Sequence, residues 1–275
     1  MTAKASPVEQ TAVQRLPNPT REWWQPVSWA AVILLALWSL WGLDARWERL
    51  LDAPADLWNL GRLLFTDMAF DRTGDLLVDM WESIAIAWLG TLIAGLVAVP
   101  LSFLAAENLA GRAVALAVRQ VLNILRAVPE VILAIAFIPL LGLTPMAGVM
   151  AIGIGSIGTL GKLFAEVIES ISPHPVEAVD AVGGSRLQRL RWGVVPQVLP
   201  EIASFLLYRF EINVRASAVL GVIGAGGIGG TIAQTLQFKQ FEVAGLGLVI
   251  VVVATIIVDL ISGTIRRRIV RGPTG

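Results

Sequence analysis

The chain has 275 residues, of which 56% are hydrophobic and 15% are charged, and its mean hydropathy is +0.73. Soluble domains carry about 25% charged residues, so this chain has too few polar side chains for a water-facing surface and belongs to the membrane class. Its 21 Lys and Arg balance its 21 Asp and Glu, which argues against nucleic-acid binding. The absence of Cys excludes a disulfide framework, an iron–sulfur cluster and thiolate zinc, and the single His174 leaves little imidazole chemistry.

Long apolar runs, of which the run at about 194–220 is more polar and the last is interrupted by Asp259, predict an all-α membrane protein with about six transmembrane helices. A hydrocarbon core about 30 Å thick needs roughly 20 residues of helix. The runs lie, in chain order, at 29–43, at 83–106, at 131–161, at about 194–220 and at 244–265. The run at 131–161 is too long for one span, and Gly142 and Pro145 predict a hairpin that divides it into two.

Basic residues orient these spans. They gather at 4–21, 112–119, 186–191 and 266–271, and all four groups fall on one side of the membrane if there are six spans. Because Arg and Lys collect on the cytoplasmic side, both termini are predicted to be cytoplasmic. The predicted regions are an N-terminal tail (1–28), a first transmembrane helix (29–43), an external segment (44–80), a core transmembrane domain (81–265) and a C-terminal tail (266–275).

The external segment is acidic and amphipathic. Its Asp and Glu residues recur every four positions in two runs between Asp44 and Asp79, with leucines between them. This pattern predicts helix lying along the outer surface. Two interpretations stay open, namely a solvated helix face and a docking platform for an external partner.

Two glycine motifs resemble nucleotide sites. Gly224, Gly226 and Gly229 have the spacing of a dinucleotide fingerprint after a strand-like stretch, and Glu242 follows at a suitable distance. A Rossmann unit needs further strands and crossover helices, whereas a membrane span and a basic tail follow here. We therefore expect these glycines to allow a sharp turn or close packing at membrane depth.

The second motif, at 155–163, resembles a phosphate loop but lacks its first Gly, which is replaced by Ser156, and its magnesium-binding hydroxyl, which is replaced by Leu163. We find no other candidate for a nucleotide site in the sequence. If the protein uses ATP, another chain is expected to bind it.

The loop at 171–196 is predicted to form a helical knuckle on the cytoplasmic face. Its prolines end one helix, Glu177 is expected to begin a short new one, and Gly183 and Gly184 stop it. From physical chemistry alone, a docking element for a cytoplasmic protein and an ordinary connecting loop are both open.

This loop resembles a known signature. Glu177-Ala178, Gly183 and Pro196 are similar to the EAA motif of bacterial ABC-importer permeases, although Val179 replaces the second Ala and Gly193 begins a changed ending. The stretches 105–109, 208–215 and 222–229 resemble the phosphonate-type branch of that family. The resemblance covers roughly residues 80 to 268.

The resemblance implies a type I, MetI-like permease bundle in the bacterial cytoplasmic (inner) membrane. It implies a second copy of this chain, two cytoplasmic ATPase subunits that bind ATP and Mg, an external substrate-binding protein, and no cofactor or catalytic residue in this chain. The cargo would be a small phosphorus oxyanion such as phosphonate, phosphite or phosphate. The residues expected to couple to the ATPase are Glu177, Ala178, Asp180, Ala181, Gly183, Gly184 and Arg186.

Charges inside spans are costly and usually face a cavity or a partner, so they are candidates for the translocation pathway. Glu211 and Arg215 are four residues apart and are predicted to pair, with a bundle-locking ion pair as the alternative to a pathway role. Arg126 and Glu130 repeat this spacing, and a cytoplasmic interface anchor is the alternative role for Arg126. The full candidate set for pathway or gate is Arg126, Glu130, Glu211, Asn213, Arg215, Gly224, Gly226, Gly227 and Gly229. The competing function is a secondary transporter or channel without an ATPase, with Asp259 as a proton carrier.

Overall fold

A computed structural model describes residues 24–42 and 48–271. Twelve α-helices occupy these residues, which contain no strand, so the predicted all-α class is confirmed. Most of the predicted N-terminal tail and the last four residues of the predicted C-terminal tail lie outside the described residues. The strand-like interpretation of 218–223 is wrong, because helix continues through Val222.

The chain divides into two compact units after Leu57. In the first unit, α1 (Trp24–Gly42) is an apolar helix of 19 residues with no buried side chain, and it begins five residues before the predicted start at 29. Helix α2 (Glu48–Phe65) begins in this unit and continues into the second. The predicted amphipathic helix is therefore confirmed in part, over 48–65.

The second unit contains the remaining helices. They are α3 (Thr73–Ala105), α4 (Glu107–Ala110), α5 (Arg112–Ala127), α6 (Glu130–Leu141), α7 (Pro145–Glu169), α8 (Pro173–Ala181), α9 (Arg186–Gln188), α10 (Val195–Val222), α11 (Ile228–Gln237) and α12 (Phe241–Arg271). A 3₁₀ turn at Phe70–Arg72 precedes α3, and a π-helical turn at Arg189–Val194 precedes α10. Helix α3 begins at Thr73, so the predicted external segment (44–80) contains its first two turns, with Asp75 and Asp79; the boundary at 80 stays a prediction.

In the part of the chain that the structure describes, four helical segments are long and apolar enough to cross a membrane: 24–42, 70–105, 145–169 and 241–269. The predicted third span does not appear as a single helix. Helix α6 has only 12 residues and covers about 18 Å at 1.5 Å per residue, which is too short to cross the membrane alone. It follows α5 after a bend of 82°, so this crossing uses two helices rather than one straight span from 131. The predicted hairpin is confirmed, since α6 ends at Leu141 and α7 begins at Pro145.

Helix α10 accounts for the sixth predicted span. It has 28 residues, which is long enough, but it carries Glu201, Arg209, Glu211 and Arg215 and so is not among the apolar segments. The predicted count of six is reached only when α10 and the bent α5–α6 pair are both included. Helix α10 and the α5–α6 pair are also the elements that carry the polar part of the candidate site.

Helix α7 is the central helix of the second unit, and its glycines allow the close packing. It is largely buried against α3, α5, α6 and α10. A Cβ on Gly158 would lie 2.5 Å from the Leu122 carbonyl oxygen and 2.7 Å from the Arg126 backbone nitrogen. The run that resembles a phosphate loop therefore forms the surface on which α5 packs.

Polar contacts define two ends of the second unit. At one end, Arg119 lies 2.5 Å from Glu169 and 3.8 Å from Glu107, which joins α5 to the end of α7 and the start of α4. At the other end, the Thr231 hydroxyl donates to Asp79 at 2.6 Å, and the Ile228 N–H donates to the Ser83 hydroxyl at 3.0 Å. The first end is basic and the second carries the acids at the start of α3.

Candidate functional site

The coupling loop contains a short helix with a defined stop. Helix α8 begins at Pro173 after the N-cap Ser172, so Glu177 lies in its middle and not at its start as predicted. The Gly183 N–H donates to the Asp180 carbonyl and the Gly184 N–H donates to the Val179 carbonyl, both at 2.9 Å, which is a Schellman motif. Gly183 has a φ of +76°, so the prediction that the glycine pair ends the helix is confirmed.

Side-chain contacts hold this loop on the start of α10. Arg189 Nη2 lies 2.6 Å from Asp180 Oδ1, and Ser185 and Gln188 form a reciprocal capping box at α9. The Gln197 side chain accepts from the Ser172 N–H at 3.0 Å and donates to the Ser172 carbonyl at 3.2 Å. We define the knuckle as residues 172–197; these contacts tie its helices to α10.

The outer face of the knuckle is exposed and partly apolar. Val182, Leu187 and Trp192 are 84%, 75% and 63% exposed. Of the predicted coupling residues, the structure pairs Asp180 with Arg189 and leaves most of the others at the surface, these being Glu177, Ala178, Ala181, Gly183 and Arg186. These three exposed apolar side chains on a charged segment are candidates for contact with a partner protein.

A second set of residues forms a polar cluster inside the bundle. The Arg209 Nη2 donates to a carboxylate oxygen of Glu130, and its Nε donates to the Ser156 hydroxyl at 2.9 Å. The fully buried Asn213 side chain donates to the Thr91 hydroxyl at 2.8 Å and to the Ser156 hydroxyl at 3.1 Å. We call Thr91, Glu130, Ser156, Arg209 and Asn213 the polar cluster; it joins α3, α6, α7 and α10.

The bend between α5 and α6 places Glu130 in this cluster. Pro129 is the N-cap of α6 and Glu130 is its first residue, whereas Arg126 lies in the last turn of α5. The predicted helical spacing of Arg126 and Glu130 is therefore wrong, because the bend of 82° separates them. A Cβ on Gly155 would lie 2.7 Å from Glu130 Cγ, so this glycine makes room for the Glu130 side chain against α7.

The predicted pair of Glu211 and Arg215 is also wrong. Arg215 Nη1 lies 3.4 Å from Asp259 Oδ2, and Arg266 Nη2 lies 3.5 Å from Glu211 Oε1. Helix α12 runs antiparallel along α10 and offers an opposite charge at both positions. The glutamate is buried, with its side chain 8% exposed, whereas the Arg215 side chain is 52% exposed.

The glycine turn between α10 and α11 matches its predicted packing role. Gly224, Gly226 and Gly227 have φ values of +95°, +78° and +72°, which favour glycine. A Cβ on Gly229 would overlap the Ala218 carbonyl oxygen, and one on Gly226 would lie 2.9 Å from Pro145 Cγ. The turn is thus packed against α7 and α10; its role as a gate stays a prediction.

Three members of the polar cluster were not predicted from the sequence as site residues. Thr91 and Ser156 are ordinary small polar residues in spans, and only the fold shows that they meet. Arg209 carried a usable signal, because it lies four residues before Asn213 and therefore on the same face of α10.

These features define a class of protein: a helical membrane protein with several spans, charged groups between them and an exposed knuckle continuous with a spanning helix. The family described as binding-protein-dependent transport system inner membrane component matches residues 98–272. The chain belongs to this family, and it is a permease component of an ABC importer.

Individual relatives agree with this family. The chain is 38% identical to the phosphite transport system permease protein PtxC of Stutzerimonas stutzeri, over 93% of this chain and 97% of that protein. It is 40% identical to the phosphate-import permease protein PhnE of Mycolicibacterium smegmatis, over 75% of this chain and 40% of that protein. Both similarities cover most of the second unit of the chain.

Solved structures share the fold. An inward-facing form of the MetNI methionine ABC transporter aligns with a TM-score of 0.63 at 21% identity, over 74% of this chain and 99% of the matched chain. A bacterial alginate ABC transporter aligns with a TM-score of 0.60 at 15% identity, over 88% and 96% of the two chains. The predicted MetI-like bundle is thereby confirmed.

Proposed function

We propose that this chain forms the translocation pathway for a small phosphorus oxyanion in an ATP-driven importer. In this proposal two copies assemble with two cytoplasmic ATPase subunits and receive the anion from an external binding protein. The observation that carries the proposal is the knuckle, which exposes apolar side chains, is held together by the Asp180–Arg189 ion pair and is joined to the start of α10 by the Gln197 hydrogen bonds. The substrate class rests on the phosphite and phosphate permeases among the relatives.

Helix α10 supplies a mechanical connection from the knuckle to the interior. It begins directly after the knuckle's π-helical turn, carries Arg209 and Asn213 near its middle, and ends at Val222 before the glycine turn. A displacement of the knuckle by ATPase closure would move the polar groups and the glycine turn together. Access to the pathway would then change from one side of the membrane to the other.

The charge of the cargo sets a physical requirement on the pathway. An oxyanion that leaves water needs positive groups or hydrogen-bond donors, but a tight site would trap it. We therefore expect weak contacts within the membrane and selectivity in the external binding protein. The balanced charges between the helices of the second unit fit this requirement better than a single strong cation site would.

The test is purification of the full transporter and ATP-dependent uptake. The chain should co-purify with the ATPase in a complex that contains two permeases, each contributing 29.5 kDa, and two ATPases. Proteoliposomes with the binding protein outside and ATP inside should accumulate radiolabelled phosphite or methylphosphonate, with sulfate as the control anion. A lone permease that transports either anion without ATP would overturn the proposal in favour of a secondary transporter or channel.

A further inference from the structure

We infer that the polar cluster is an oxyanion subsite within the membrane, in which Arg209 is the cation and Glu130 occupies the place of the transported anion. The inference rests on the proposed function for the identity of the cargo. It adds a binding site, formed by Arg209 with Ser156, Asn213 and Thr91, for a tetrahedral phosphorus oxyanion such as phosphite.

The donors in the cluster are those that bind oxyanions. A guanidinium has five N–H donors in a planar fork that matches carboxylate and phosphate oxygens. Within the described residues, Arg209 uses one donor on Glu130 and one on Ser156, which leaves three. Beside the guanidinium, the Asn213 amide donates to the Ser156 and Thr91 hydroxyls, and the Thr91 hydroxyl donates to the Ala87 carbonyl. These neutral groups hold one another in place, and the remaining donors of Arg209 are the ones available to an anion.

The carboxylate of Glu130 is the internal substitute for the cargo. It is an anion held by the guanidinium, and its side chain is 21% exposed while that of Arg209 is 13% exposed, so the pair is largely but not completely enclosed. Glu130 stands on the first turn of α6, directly after the bend, so a movement of α6 relative to α5 would withdraw it from Arg209. An anion that exchanges with a carboxylate is compensated without being trapped.

Comparison with the other arginine ion pairs favours Arg209. Arg119 is held by Glu169 and Glu107 and donates to the Ala105 carbonyl, so its donors are directed at protein acceptors. Arg215 is half-exposed and faces Asp259. Of these three, only Arg209 has both a hydroxyl and an amide of the protein in its immediate network.

The test measures anion binding to the assembled permease–ATPase complex without the binding protein. Radiolabelled phosphite is applied by equilibrium dialysis to the wild type, Glu130→Gln, Arg209→Gln and the double variant Glu130→Gln/Arg209→Gln. Removal of the internal competitor in Glu130→Gln should strengthen binding by about tenfold or more, the effect of one charge-assisted hydrogen bond. Both variants that lack Arg209 should lose this binding.

A matched control is the double variant Arg119→Gln/Glu169→Gln, which removes an interhelical ion pair at the basic end and should bind phosphite like the wild type. If Glu130→Gln binds no more tightly than the wild type, or if the assembled double variant of the cluster supports wild-type uptake, the cluster is only a helix brace. Uptake by the intact transporter is measured separately. Normal ATP-dependent uptake with no binding at the cluster would refute the subsite alone, whereas lack of ATP-dependent uptake would refute the proposed function.

Discussion

Arg215 and Asp259 are the most exposed charges that face each other on two spanning helices. Their side chains are 52% and 40% exposed and the atoms of the pair are 3.4 Å apart. A charge at this depth is costly in lipid, so the pair is expected to face a cavity or the second copy of the chain. One carboxylate oxygen of Asp259 is buried without a hydrogen bond. A purely structural ion pair is expected to have its buried oxygens hydrogen-bonded, so this observation favours a functional role for the pair.

The prediction for this pair compares Arg215→Met, Asp259→Leu and the double variant. Each single change leaves one uncompensated charge and should reduce the yield of assembled complex, since such a charge costs about 3 to 5 kcal/mol when buried and less here because both groups are partly exposed. The double variant should assemble but lose phosphite uptake by about tenfold or more, the loss expected for one charge-assisted contact. Size-exclusion yield and uptake are the measurements, and normal uptake by the double variant would reduce the pair to scaffolding.

The sequence predicted the residue types of the site better than their partners. Glu130, Glu211, Asn213 and Arg215 could be selected because polar groups inside apolar spans are rare. Their partners depend on how α10 packs against α6, α7 and α12. Spacing along one helix carries no information about this packing. Asp259 and Arg266 are seven residues apart on α12, and this spacing places both on the face that meets α10.

At the scale of elements, the knuckle depends on the conformation of one glycine. Gly183 has a φ of +76° and open space around its Cβ position, whereas a Cβ on Gly184 would lie 2.5 Å from Val179 Cγ1. The structure thus assigns the sharp helix end to Gly183 and the close approach to Gly184. A side chain at Gly183 would strain the backbone and project from the exposed face of the knuckle.

Gly183→Asp should uncouple transport from ATP hydrolysis. The backbone cost is about 1 kcal/mol, too small to unfold the bundle, while the added charge stands in the proposed ATPase interface. Gly111→Asp is a stringent control, because Gly111 also has a positive φ, +81°, and open space but lies outside the knuckle, and its ψ of 156° makes the substitution at least as strained. We expect Gly183→Asp to lose most uptake with unchanged affinity of the binding protein, and Gly111→Asp to retain it. Normal uptake by Gly183→Asp would contradict this prediction and make the knuckle a simple connector.

The bend between α5 and α6 shows why some elements were mispredicted. Pro129 marks a boundary in the sequence, but the uncharged run from 131 concealed that α6 alone is too short to cross. The glycines at 155, 158 and 161 suggested a failed phosphate loop, whereas in the structure they let α5 and α6 approach α7. In apolar sequence, the same glycine spacing can indicate a ligand-binding loop or close packing between helices, and only the position of the neighbouring helix distinguishes the two.

At the scale of the whole molecule, the contacts in the second unit bring basic segments from different helices to one end. Helix α12 runs antiparallel to α10, so its basic last turns lie towards the end where α10 leaves the knuckle, and Arg119 holds α5 near that end. The start of α3, the glycine turn and the start of α12 lie at the opposite end, where the Ala69 N–H donates to the Glu242 carbonyl at 3.4 Å. Five crossings, formed by α3, the α5–α6 pair, α7, α10 and α12, connect the two ends.

This arrangement predicts opposite accessibility for two exposed residues, Asp67 before α3 and Ala113 in the first turn of α5. The chain has no Cys, so Asp67→Cys and Ala113→Cys each carry one reactive thiol and each serves as the other's control. If the basic end is cytoplasmic, a membrane-impermeant maleimide applied to intact spheroplasts should label Asp67→Cys, whereas Ala113→Cys should react only after permeabilisation. One crossing, formed by α3, separates Asp67 from Ala113. The reverse result would therefore invert the orientation, and labelling of both from outside would show that α3 does not cross the membrane. The knuckle shares its end with Ala113. A reversed labelling pattern would place the knuckle outside, where a cytoplasmic ATPase cannot reach it, and would contradict the coupling role of Gly183. Labelling of both residues from outside would contradict that role as well, because Ala113 would not be cytoplasmic.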